Sequence, residues 1–504
     1  MKPFASLIAF TLFLVSPTFV FAEGIAGKRP NILFVLTDDQ GYGDISAHGN
    51  PILKTPNLDK LRSEGIRFTD FHVSPTCSPT RSALMTGRHE FKNGITHTIL
   101  ERERLTLSAI TIAQLLQSSG YTTGIFGKWH LGDEAEYQPS RRGFDEVFIH
   151  GGGGVGQIYP GSCGDAPGNK YFDPAILHNG TFVKTKGYCA DLYFEQASKW
   201  IDSQHANKKP FFAYIASNTP HGPYIARPED KALYEGKGLP AETESFFGML
   251  HNVDQNVGKV LAKLDALGIA KDTLVIFMND NGGTAGVKVF NAGMRGAKGT
   301  AWIGGTHASS FWRWPSTIQP VDCSALTAHI DFFPTLAEIA GAKISDQVRP
   351  QVEGRSLVPL LENPASSWDD RTLVTHLGRW PKFSDPNEMK FKMCSVRNTR
   401  WHLVSEKGSA EAKWELFDLK ADASEKTDIA AQHPEVVKEL ANGFEKFWSE
   451  ALPLMVNENV VGPSINPFQE LYYKQFGGNP TEADLAKMAP NRKKGDTKPT
   501  EPKK

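Results

Sequence analysis

The chain has 504 residues, 40% hydrophobic and 22% charged, with 55 Lys+Arg against 56 Asp+Glu and a formal net charge of -1. That is globular composition, long enough for a large core and for two or three domains. The even charge excludes a protein drawn to nucleic acid or to an anionic membrane by its overall field, so an anionic substrate would need local charge.

Residues 1–22, MKPFASLIAFTLFLVSPTFVFA, have Lys2, an apolar stretch and a small-residue end before Glu23. This predicts a secretory signal peptide, with Pro17 disfavouring a retained anchor. No other stretch has the roughly 18–20 uninterrupted apolar residues of a spanning helix. The mature chain is expected to be exported, periplasmic or secreted, with no permanent membrane span. Five cysteines, Cys77, Cys163, Cys189, Cys323 and Cys394, leave open a Cys163–Cys189 disulfide or buried free thiols.

Residues 31–37, NILFVLT, read as a buried parallel strand. It ends in Asp38-Asp39-Gln40-Gly41, either a solvated loop or a hard-cation site. A helix is expected over 57–64. In 74–89, SPTCSPTRSALMTGRH, Pro79 and the run SALM place Cys77 at a helix N-terminus. Backbone N–H groups, the helix dipole and Arg81 would favour an anion beside Cys77; the alternative is a structural cysteine.

A helix over 107–119 and a strand over 121–126 follow, then a loop holding Lys128, Trp129 and His130. A strand over 144–150 leads to GGGGVG, which formally matches a dinucleotide fingerprint. The loop composition after it excludes that reading, and 151–187 is expected to be one irregular insertion. A helix over 191–204 and a strand over 210–217 run into Asn218-Thr219-Pro220-His221. The amphipathic run 243–267 precedes a strand over 273–278, closed by Asn279-Asp280-Asn281. Alternating strands and helices predict an α/β fold with a largely parallel sheet. Parallel strands put Asp38, Asp39, Lys128, His130, His221, Asp280 and Asn281 on one sheet edge, where such folds bind ligands.

The Gly-rich segment 291–314 holds Arg295 and Lys298 but lacks P-loop spacing, and a helix ends near Ala340. From about Asp370, four short strands at hairpin spacing and a helix over 435–450 predict a smaller antiparallel subdomain. The expected domains are 23–369 catalytic, 370–455 C-terminal, 456–490 an extension and 491–504 a disordered basic tail.

The string CSPTRSALMTGR resembles the sulfatase signature, C-x-P-x-R with a downstream Thr-Gly-Arg. NILFVLTDDQGYGD, GKWHLG, TPHGPY, NDNGG and RGAKGT stand in sulfatase order, so the resemblance covers 30–450. It implies the alkaline phosphatase-like α/β fold and hydrolysis of a sulfate ester. It implies that a formylglycine-generating or sulfatase-maturing enzyme converts Cys77 to formylglycine, whose hydrate attacks sulfur. Asp38, Asp39, Asp280 and Asn281, with residue 77, would ligate calcium, magnesium being the less suited ion.

In the same scheme Asp280 helps deprotonate the attacking hydroxyl. Arg81, Lys128 and Lys298 stabilise sulfuryl oxygens. His221, with Lys298, protonates the leaving alcohol. His130 removes the second hydroxyl proton that expels sulfate. The chain departs from the family after Lys298, where Ile303 and His307 stand in place of an acidic and a basic residue. His307, with Ile303, is therefore expected to set substrate choice, the alternative being a structural histidine; Trp302 and Trp129 either stack on sugar rings or pack in the core. A sulfated carbohydrate is the expected substrate. The alternatives are a phosphonate or phosphate ester hydrolase on the same scaffold, or a non-catalytic sulfated-glycan-binding protein.

Overall fold

A computed structural model describes residues 24–159, 162–463 and 465–478. The expected signal peptide and basic tail lie outside them. A ten-stranded sheet forms the centre. Its spatial order is Val321–Cys323, Ile66–Phe68, Ser310–Arg313, Thr273–Asn279, Asn31–Thr37, Phe211–Ala216, Thr122–Lys128, Glu146–His150, Ala175–His178, Thr181–Lys184. The strands from Thr273–Asn279 to Glu146–His150 are all parallel, so their carboxyl ends share one edge.

The apolar run of Asn31–Thr37 reflects burial on both faces. Ile32, Phe34 and Leu36 face one core, with Ile112, Leu116, Phe332 and Leu336 of helices Ile112–Ser118 and Phe332–Ile339. Leu33 and Val35 face the other, with Tyr193, Ala197, Val253 and Val257 of helices Cys189–Ala206 and Ala241–Ala266. Side chains alternate along a strand, so a central strand covered on both sides has no position for a polar residue.

Two expectations change, and the choice left open for the cysteines is settled. The helix expected from residue 107 begins at Ile112, because Thr111 and Gln114 form a capping box and Leu107 is exposed. Residues 151–187 are not wholly irregular: strands Ala175–His178 and Thr181–Lys184 form a hairpin that extends the sheet. All five cysteines are free and buried; Cys189 donates to Asn218 Oδ1 at 3.5 Å, and no Cys163–Cys189 bond forms.

Strands Leu373–His376, Cys394–Arg397, Trp401–Ser405 and Glu415–Asp418 make a separate antiparallel meander. Leu440, Phe444 and Trp448 of helix Pro434–Ala451 cover it, joined by Phe91 and Trp380. The chain then returns to the larger body. Asn457 Nδ2 donates to the carbonyls of Gly94 and Arg104 at 2.9 and 2.8 Å, and Phe468 enters the main core.

Glu458 ties the two bodies together, accepting from Trp380 Nε1 at 2.6 Å and lying 3.3 Å from the buried Arg102. Breaking such a pair leaves an uncompensated buried charge. Glu458→Ala should therefore lower unfolding free energy by about 3–5 kcal/mol. Urea denaturation measures this, and a loss below about 1 kcal/mol would mean that water reaches Arg102.

Candidate active site

Cys77 begins helix Cys77–Thr86, with Thr76 extended at the N-cap and all ten helical residues buried. Two acidic loops leave adjacent strand ends beside it. They cross at Gly41 and Gly283, where a Cβ on Gly41 would lie 2.8 Å from Gly283 Cα. Only glycines allow this approach, which brings Asp38 and Asp39 up to Asp280 and Asn281. Gly127 does the same for the next strand: its φ is 116°, and a Cβ there would sit 2.1 Å from Ala216 O. Lys128 is the last residue of that strand, not a loop residue as expected, and its main chain is held in the ladder.

The charges are paired inside the protein. Lys128 Nζ lies 2.6 Å from Asp38 Oδ2, and Lys298 Nζ lies 2.5 Å from Asp39 Oδ1. Arg81 donates to Asp280 Oδ2 at 2.9 Å and to Lys128 O at 3.0 Å. Asp39 N–H donates to Asp280 Oδ1, and Asn281 Nδ2 to Asp39 Oδ1, both at 3.1 Å. Asp39 and His130 both adopt left-handed backbone, at φ 69° and 58°. Non-glycine residues hold that conformation where their surroundings over-determine it.

Burial raises the Asp38 carboxyl, but Lys128, His221 and Arg81 outweigh it and hold Asp38 well below the usual range. Asp280 moves the other way, raised by burial and then by Asp38. For Cys77, burial raises the thiol, yet Lys128 and Lys298 leave it net lowered, as an anion site should. Burial and then Lys128 hold His130 well below its ordinary value, so it is neutral near neutral pH.

His130 Nε2 faces Thr98 O at 2.7 Å and therefore carries the proton, leaving the buried Nδ1 without a partner. His221 Nδ1 faces Gly222 O at 2.7 Å, leaving Nε2 free, 3.9 Å from Asp39 Oδ2. Ligand atoms of Asp38, Asp39 and His221 fall within 4.8 Å of one another. Asp38 Oδ1 and Asn281 Oδ1 are buried with no hydrogen-bond partner. Orphaned oxygens in an acidic cluster suit a hard divalent cation.

Cys77, His130, His221 and Lys298 line a cavity of about 270 Å³. His97, Thr98, Ile99, Gly153, Gln157, Tyr159 and Arg379 complete it, and the sequence had singled out none of these seven as site residues. Arg379 lies some 300 positions from Cys77, and only domain docking brings it here. Its local signal was the adjacent Gly378, since both residues have positive φ, 65° and 59°.

Trp302 and His307 are not placed to touch a substrate in this cavity. Trp302 is buried, its ring 3.4 Å below the Arg295 guanidinium and edge-on to Phe417. His307 stacks on Tyr42 at 4.2 Å and bonds Thr69 O at 3.0 Å. Burial lowers it to about 4, so it offers no charge near neutral pH. Ile303 and His307 border a different cavity, with Asp70, His72 and Arg397. Trp129 is buried too, donating its indole N–H to Tyr137 O at 3.0 Å.

Residues 30–342 match the Sulfatase family model, and 307–450 match the N-sulphoglucosamine sulphohydrolase C-terminal model. The chain belongs to the sulfatase family. This sulfatase is a sulfuric ester hydrolase with the alkaline phosphatase-like fold. It is 29% identical to Arylsulfatase J of Mus musculus over 86% of this chain and 78% of the relative. It is 31% identical to N-acetylgalactosamine-6-sulfatase of Rattus norvegicus, over 74% of this chain and 76% of the relative. Among solved structures, Ps i-CgsB superposes with a TM-score of 0.74 at 29% identity, covering 84% of this chain and 94% of that one. The same protein has been solved in complex with k-i-k-neocarrahexaose.

Behind the Cys77 helix, burial pushes the Glu103 carboxyl from 4.5 up to about 8, and its Oε2 has no partner. Between those values the unfolded chain has released a proton that the folded chain keeps, so this group lowers stability as pH rises. Glu103→Gln preserves the neutral form. Its stability relative to wild type should rise from about pH 5 to about pH 8. Urea midpoints at both pH values test this; an unchanged difference would mean Glu103 folds ionised.

Proposed function

We propose that this sulfatase is exported and hydrolyses a sulfate ester on a carbohydrate, using residue 77 as formylglycine and a bound calcium ion. One observation carries the reading: Cys77 and Lys298 line one cavity, and Lys298 pairs with Asp39 in the buried cluster of Asp38, Asp280, Arg81 and Lys128 behind it. A maturing enzyme would convert Cys77, and the resulting hydrate would supply one hydroxyl for attack and a second for release of sulfate. Asp38, Asp39, Asp280 and Asn281 would hold the cation, which would polarise a sulfate oxygen. Magnesium suits this flexible all-oxygen set less well.

The chain's own groups do the rest. Lys298 and Lys128 place permanent positive charge over Cys77, and Arg81 fixes Asp280 from the other side. His221 holds one ring nitrogen on Gly222 O and turns the other to the cavity, where it can pass a proton to a leaving alcohol. The neutral His130, anchored on Thr98 O, is suited to accept one.

A carbohydrate is supported by the name of the rat relative and by the oligosaccharide bound to Ps i-CgsB. The polar lining agrees, and Tyr159 is the cavity's aromatic side chain now that Trp129 and Trp302 are placed in the core. The leader-like residues 1–22 support export.

Cys77→Ala should drop turnover of a sulfate ester below about 1% of wild type while leaving the far-ultraviolet spectrum unchanged. Mass spectrometry of the wild-type peptide should find an aldehyde in place of the thiol; an active enzyme with an intact thiol would refute the nucleophile. Exhaustive chelation should abolish activity and added calcium restore it. Full activity in protein shown by metal analysis to be cation-free would exclude the metal role.

A further inference from the structure

We propose that Arg379 is a specificity-determining residue, whose guanidinium binds a second anionic group, a sulfate or a carboxylate, on the molecule that presents its sulfate ester to residue 77. The proposal rests on the cavity being the sulfate-ester site.

Arg379 and Cys77 border the same cavity of about 270 Å³, space for one sugar ring or little more. A substrate seated with its ester at Cys77 therefore passes the guanidinium. No carboxylate borders the cavity among the described residues, while Lys298 and Arg379 do. The lining thus favours a ligand with negative charge at both ends.

The other cations on this wall are spoken for. Arg102 pairs with Glu458 at 3.3 Å, Lys382 with Glu101 at 2.7 Å, and Arg104 with Glu134. Among the described residues, no carboxylate pairs with Arg379. Its side chain makes one hydrogen bond, Nη2 to Thr98 Oγ1 at 3.0 Å. A guanidinium has five N–H donors in a fixed fork, so an edge remains for a planar or tetrahedral anion.

The loop carrying it is held in place. Arg379 N–H donates to Thr96 O at 2.9 Å, and Arg102 donates to Trp380 O at 2.7 Å while lying over the Trp380 ring at 4.7 Å. A Cβ on Gly378 would fall 2.1 Å from Thr96 O, so the two strands of chain touch without clearance. Beside it, His97 Nδ1 accepts the N–H groups of Thr98 and Ile99 at 2.8 and 3.1 Å, which shapes the adjoining rim. The loop backbone is thus ordered before an anion binds, and only the exposed side chain has freedom left to lose. Its removal should leave the fold intact.

The test is calorimetric titration of the Cys77→Ala protein, in calcium, against three probes. They are N-acetylgalactosamine 6-sulfate, its 4,6-disulfate, and a glucuronosyl disaccharide of the 6-sulfate. The disulfate and the uronate separate the two sources of second charge. At least one should bind at least ~10-fold more tightly than the monosulfate. That advantage should fall below ~3-fold in the Arg379→Ala background and return in part with Arg379→Lys, which restores charge without the fork. The thermal midpoint should not move. An advantage that survives Arg379→Ala, or dianions that bind no better than the monosulfate, would overturn the proposal. Turnover of a sulfated sugar by unmutated enzyme reports separately on the proposed function. If turnover is present and the Arg379 effect absent, only this inference fails; if no sulfated sugar binds or turns over, both fail.

Discussion

Asp38, Asp39 and Asp280 face Arg81 and Lys128 where almost no water reaches, with Lys298 closing the cluster at the cavity, and the rest of the site depends on that balance. Taking these ions out of water costs several kcal/mol each, and only close pairing offsets it. The pairing is uneven: Asp38 is driven down and Asp280 up within one cluster. Such a set of groups can shift protons and charge when a doubly charged cation and an anionic ester enter, with little rearrangement of the chain. It also fixes where neighbouring elements can go. The partners come from three strand ends, one helix and the turn around Lys298, so a change in strand register would separate an ion pair.

The parallel sheet makes that assembly possible. Five strands aligned in one direction present five carboxyl ends at one edge, and both faces are closed by helices. The polar loops then have nowhere to turn except toward each other. Where they meet, the limiting quantity is backbone volume, and Gly41 against Gly283 supplies the clearance. The second body adds a wall to a floor that is already complete. It is pinned through Glu458, Trp380 and Arg102, and it carries Arg379 to the cavity. The charged cluster and the cavity rim are thus built by different parts of the chain.

Much of this was legible in the sequence because it is local. Apolar runs ending in Asp38-Asp39, His221 and Asp280-Asn281 gave both the strand type and the edge on which those residues gather. Cys77 at a helix start followed from Pro79 and the run after it. The meander and its helix followed from spacing and periodicity. The gathering of Asp38, Asp39, Lys128 and Asp280 needed no long-range information beyond the rule that parallel strands share an edge.

The rim was different. Ile303 and His307 depart from the family pattern, and Trp302 has the right chemistry for a sugar, yet packing turns Trp302 into the core and sets Ile303 and His307 on a different cavity. Burial of an aromatic or a histidine is set by what docks on it, and here Phe417, Arg295 and Tyr42 do. Arg379 is the reverse case, unremarked in its own segment and brought to the cavity by contacts with residues 96–102. The sequence alone determined the chemistry at the strand ends, because main-chain direction places those residues whatever their side chains contact. Only the tertiary structure decided which side chains border the substrate, because that depends on how two separately formed bodies meet.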